Sequence, residues 1–169
     1  MAEGTNSKKI SSALPNRTPY AMATLQGSAS SPHVRGTVQF FTAPGGTIID
    51  ATLNGLPDIT LPTDNPQIGP FGFHVHEGAS CTPTDGENPF SNAGEHYNPM
   101  ARPHPLHAGD LPVLFPNDGT AHMQVYTNRF TPKEVIGRTI VVHQSPDDFR
   151  TQPGGDSGKR MACGTIQAL

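Results

Sequence analysis

A chain of 169 residues is long enough for one domain with its own hydrophobic core. Its 18 glycines and 18 prolines exclude a protein built from long helices. The net charge of -3, with no basic run, excludes the positive patch that nucleic-acid binding requires. No stretch is long and apolar enough to cross a membrane as a helix.

Residues 1 to 19 read as a polar, flexible N-terminal segment without the apolar core of an intact signal peptide. A single domain is expected over residues 20 to 169. "YAMATLQGS" alternates loosely, as a strand does. "VRGTVQFFT" and "GTIIDATLNGL" are β-rich runs joined by the turn-forming "APGG", which predicts a hairpin. "GPFGFHVHEG" predicts a further strand. An irregular stretch from about Ala79 to Pro116 follows, crowded with Pro, Gly, Asn and His. "TAHMQVYTNRF" predicts a strand. "TPKEVIG" predicts a helical turn, with Thr131 as cap and Pro132 at the first helical position. "RTIVVHQ" has the continuous apolar character of a buried strand. "PDDFRTQPGGDSGKR" predicts a second irregular loop, and "MACGTIQAL" a closing strand. The plan is an antiparallel β-domain with two long loops, and loops of that length in a compact domain usually carry function.

Five of the eight histidines lie in or beside the first loop. His74 and His76 are two apart in a strand, so their imidazoles share a face. His96 follows in "GEHYNP". His104, His107 and Asp110 make an H-x-x-H-x-x-D run, and His143 closes the apolar strand. Neutral imidazole is the commonest protein metal ligand and suits copper and zinc; an added carboxylate suits zinc. Any one of these histidines alone would read as a polar surface residue, but the combination points to metal, with enough donors for two sites. His33 and His122 lack such context and read as ordinary. Cys81 and Cys163 form no CxxC; by count they allow an internal bridge, two free thiols or metal ligation.

The ordered motifs "GFHVHEG", "GEHYNP", "HAGDLP", "VVHQSPDD" and "GKRMACG" resemble the signatures of copper-zinc superoxide dismutases, from about Tyr20 to Ile166. The short loops resemble bacterial members. The resemblance implies an all-β fold: a Greek-key β-sandwich or flattened barrel of about eight antiparallel strands with two long functional loops. It implies Cu and Zn as cofactors and superoxide, a small anion, as substrate. By resemblance, His74, His76, His96 and His143 are copper ligands. His96, His104, His107 and Asp110 are zinc ligands, with His96 bridging the metals. Asp147 links His74 to His104 from outside the ligand set. Arg160 overhangs the copper, and Arg160 and His96 are the catalytic residues. Cys81 and Cys163 pair as a disulfide, which points to an extracytoplasmic or secreted location. A homodimer is compatible with the family, although the sequence marks no dimer face.

The chain departs from the common pattern at three places. His104 and His107 are separated by only two residues. Glu95 stands just before His96, where a small or neutral residue is usual, and is expected to face solvent. Val113 replaces a polar residue with little expected effect. In the second loop Arg150 and Lys159 are the candidate anion guides beside Arg160; equally, they read as solvated surface charges. Since the chain is net negative, attraction of an anion must come from a local positive focus. The alternative reading is a non-catalytic metal-binding protein on the same fold, either copper-handling or holding a structural zinc. The second of these leaves His74, His76 and His143 without a purpose.

Overall fold

A computed structural model describes residues 17–82 and 88–169. Most of the expected N-terminal segment, residues 1–16, lies outside them. Residues 17–19 have no regular structure and lead directly into the first strand.

Among the described residues eight strands form: β1 (Ala21–Gly27), β2 (Arg35–Ala43), β3 (Gly46–Asn54), β4 (Phe73–His76), β5 (Ala121–Thr127), β6 (Thr139–His143), β7 (Arg160–Thr165) and β8 (Gln167–Ala168). All pairings are antiparallel. The order across the sheet is β4-β6-β7-β1-β2-β3-β5, with β8 beside β1, and the sheet curls into a half-barrel. Long connections carry the chain from β3 to the opposite edge at β4 and back to β5, the over-the-end links of a Greek key. The "APGG" turn joins β2 to β3 as expected, with Ala43 opposite Gly46. The helical turn is α1 (Pro132–Val135); the Glu134 carboxylate accepts the Thr131 backbone N–H at 2.7 Å, closing its first turn. The closing strand of the sequence is two elements: β7 begins one residue earlier, at Arg160, and the regular pairing breaks at Ile166 before β8.

The main core is formed by Leu25, Phe40, Ile49, Leu53, Phe71, Phe73, Leu114, Ile140 and Ile166, all fully buried. β4 and β6 are buried on both faces, which explains their unbroken apolar character. Phe73 and Val75 of β4, and Ile140 and Val142 of β6, point into this core. Strand alternation then turns His74, His76, Val141 and His143 to the outer face, beneath the two long loops. There Val141 packs with Phe90, Ala93 and Cys163 in a second small cluster. Cys81 and Cys163 form a disulfide with Cα atoms 5.5 Å apart, joining the first loop to β7.

Candidate metal centre

β4 is an edge strand, and its free backbone edge holds the first loop. The Val75 N–H donates to the Gly109 carbonyl at 2.9 Å, and the Tyr97 N–H donates to the Val75 carbonyl at 2.8 Å. These bonds place His96 opposite His76 and Asp110 opposite His74 as isolated bridges. An open edge that would otherwise invite pairing with another chain is thus used to position ligands. The approach is close: a Cβ on Gly109 would lie 2.2 Å from the Val75 oxygen, so only glycine fits there.

Two groups of buried donors result, one of His74, His76, His96 and His143, the other of His96, His104, His107 and Asp110. Within each, one ligand atom per residue lies within 4.8 Å of all the others. His96 belongs to both. His33 and His122 lie outside both groups; His122 is instead paired with Asp50 across β3 and β5 at 3.0 Å.

The outer hydrogen bonds decide which nitrogen of each ring is left for metal. A carbonyl or carboxylate can only accept, so the ring nitrogen facing it carries the proton in a neutral imidazole. His76 donates from Nδ1 to the Gly94 carbonyl at 2.9 Å, and His143 from Nδ1 to the Gly158 carbonyl at 3.4 Å. Their Nε2 lone pairs then face each other at 3.2 Å, which is unfavourable unless a cation lies between them. His74 and His104 donate from Nε2 to the two oxygens of Asp147, both at 2.8 Å. Their Nδ1 atoms are buried without a hydrogen bond, as is Nδ1 of His107, although those of His104 and His107 lie 3.1 and 3.4 Å from the Asp110 carboxylate. Buried polar atoms left unpaired are costly, and lone pairs converging on one point suit a metal ion. The donor chemistry fits too: four imidazoles for copper, three imidazoles and a carboxylate for zinc.

The electrostatics agree. Burial, followed by the neighbouring histidines His143 and His96, holds the pKa of His74 and of His76 well below the ordinary histidine value. Burial lowers that of His143 to about 3. These rings stay neutral and available as ligands. Burial also lowers His107. For Asp110 burial opposes ionisation, but the hydrogen bond from His96 and the charges of His96, His104 and His107 outweigh it, and its pKa falls.

The second loop supports the first. Asp147 also accepts the Phe149 N–H at 2.7 Å, and Gly155 packs against it at φ +71. A Cβ there would sit 2.0 Å from Asp147 Oδ1. Gln152 brackets His104, donating to its carbonyl at 2.7 Å and accepting its N–H at 3.0 Å. Sequence reasoning did not single out Gln152, nor Arg129. The Arg129 guanidinium donates to the carbonyls of Pro105 at 3.1 Å and His107 at 2.9 Å, and reaches that of Asp110 at 3.5 Å. It thereby holds the short His104–Asp110 segment from outside. Neither residue lies in a recognisable motif, because each acts through backbone groups distant in the chain.

A cavity of about 280 Å³ opens over the group containing His76, His96 and His143. Arg160 stands in its wall. A bulge between β6 and β7 sets Arg160 directly opposite His143. Its guanidinium donates to the carbonyls of Phe90 and Gly94, so it is held in one orientation. Glu95 is exposed, as expected, but it too lines this cavity, with Asp156. Arg150 and Lys159 do not; Lys159 lines a separate depression beside Ser30 and Gln144.

Comparison with known proteins agrees with this geometry. The sequence profile of the family described as copper/zinc superoxide dismutase (SODC) matches residues 34–166. A Cu-Zn superoxide dismutase of Deinococcus radiodurans is 37% identical over 153 residues, covering 80% of this chain and 79% of its own. Cu-Zn superoxide dismutase 2 of Aquifex aeolicus is 32% identical over 149 residues, covering 79% and 80%. In structure, the chain is similar to the Cu/Zn superoxide dismutase from Brucella abortus. The TM-score is 0.69 at 30% identity, over 87% of this chain and 99% of that one.

Proposed function

Since the chain belongs to the copper/zinc superoxide dismutase family, we propose that it is a superoxide dismutase in which residues 20–169 form the metal-bearing domain. His74, His76, His96 and His143 hold copper, and His96, His104, His107 and Asp110 hold zinc. Bound copper would supply a one-electron couple able to oxidise one superoxide to dioxygen and, with two protons, to reduce a second to hydrogen peroxide.

The chain's own residues do the rest. His74, His76 and His143 are rigid donors, since each sits on a buried strand with its second nitrogen engaged. Asp147 locks the tautomers of His74 and His104 together, so the two donor groups keep one geometry. Arg160, permanently charged and braced by two carbonyls, binds the anion in the cavity. His96, shared by both donor groups and lining the cavity, is the residue placed to hand a proton to the reduced anion.

The observation that carries this reading is the membership of His96 in both donor groups. A structural zinc site needs only the second group, and a copper-handling protein only the first. The test is superoxide decay on the purified chain, reconstituted with copper and zinc. Catalysis far above that of free protein is expected. Absence of catalysis at full copper occupancy would make the fold a metal-binding scaffold instead. The disulfide is consistent with an oxidising compartment, and we place the protein outside the cytoplasm. A homodimer, the arrangement compatible with the family, is read by sedimentation.

A further inference from the structure

The charges lining the cavity run against the anion it is proposed to admit. Among the described residues, Arg160 is the only lysine or arginine in its wall, and it shares that wall with two acidic residues, Glu95 and Asp156. Glu95 is tied into this place by its neighbours. The Gly94 carbonyl just before it accepts from the Arg160 guanidinium, and its own carbonyl accepts the Glu77 N–H at 2.9 Å. Its side chain is exposed, and no ion pair to it is present among the described residues. Burial depresses the pKa of Arg160, and the charge of Glu95 opposes that shift, so the two charges sense each other. A cavity of 280 Å³ is about 8 Å across as a sphere, less than the Debye length of about 10 Å at 0.1 M salt. An anion inside it therefore meets the carboxylates as well as the arginine. Arg150 and Lys159, outside the lining, do not restore the balance.

We propose that Glu95 is an electrostatic brake on anion capture: its carboxylate, exposed in the cavity lining it shares with Arg160, offsets the arginine's attraction and sets how strongly this protein draws anions to the copper site. Glu95 touches no reacting atom in this scheme; it acts through the field that Arg160 and the metals create. The proposal rests on the dismutase reading for its biological sense, but not for its test.

The test compares E95Q and D156N with D118N, which makes the same change of net charge in an exposed turn outside the cavity. The first readout is azide binding to the copper(II) protein, followed by charge-transfer absorbance at pH 7, which needs no turnover. Removing a like charge within one Debye length is expected to tighten azide binding about threefold in E95Q, with D156N moving the same way and D118N unchanged. The second readout is the superoxide rate constant against ionic strength. E95Q is expected to be about two- to threefold faster than the parent at low salt and to slow more steeply as salt rises. Azide affinity in E95Q equal to that of D118N, or weaker than in the parent, overturns the proposal. Tighter azide binding without superoxide turnover in any variant sustains it and overturns the dismutase reading instead.

Discussion

The two halves of the metal centre are built differently. Of the first group, His74, His76 and His143 come from β4 and β6, strands that are buried on both faces. All four donors of the second group come from the irregular first loop, within residues 96–110. A strand-borne histidine needs only its alternation and one outer hydrogen bond to be fixed. The loop-borne donors instead draw on pairing to the β4 edge, Gln152, Arg129, the disulfide and Asp147. Rigidity comes with the element in one half and is assembled from distant parts in the other. Perturbations outside the ligands should therefore loosen the zinc half first.

The largest effect is expected at the disulfide, which closes a loop of 82 residues containing the whole second group. On chain entropy alone its removal by C81S/C163S costs about 4–5 kcal/mol. Chemical denaturation of the metal-free protein reads this directly. A loss under about 1 kcal/mol would mean that edge pairing holds the loop without it.

A smaller effect is expected at Asp147. In D147N one oxygen becomes an NH2 group, which cannot accept from His104 or His74, so one of the two rings loses its anchor. Zinc affinity, measured by competition with a chelator, should fall about 10- to 100-fold, with copper affected less because its other ligands are anchored independently. Equal losses at both metals would erase the contrast between the halves.

The smallest effect is expected from R129Q. It removes charge-assisted bonds to the carbonyls of Pro105 and His107 on a partly exposed surface. Zinc should leave several-fold faster, a change of about 1 kcal/mol, while the copper(II) absorption spectrum stays as in the parent. A changed copper spectrum would show that the clamp reaches both halves.

His74 and His76 were legible because H-x-H on a strand needs no tertiary information: period two puts both rings on one face. The zinc run was legible as residue types and spacing, and the short interval between His104 and His107 still brings both Nδ1 atoms to Asp110, at 3.1 and 3.4 Å. The roles of Gln152 and Arg129 were not legible, since both work by bonding backbone groups, and a backbone carbonyl carries no signature in sequence. Glu95 was legible as an anomaly and as exposed. Its shared cavity with Arg160, 65 positions later in the chain, was not.

By itself, then, the sequence determined most of the strands, the polarity of their faces and the chemical kind of the candidate metal donors, because these follow from local alternation and side-chain chemistry. Only the tertiary structure decided how the pieces meet. The loop lies along the β4 edge, so that His96 stands opposite His76. A bulge aligns Arg160 with His143. One carboxylate, Asp147, joins rings from positions 74 and 104. Each depends on backbone pairing between segments far apart in the chain, where register is set by the packing of the whole sheet rather than by any local pattern.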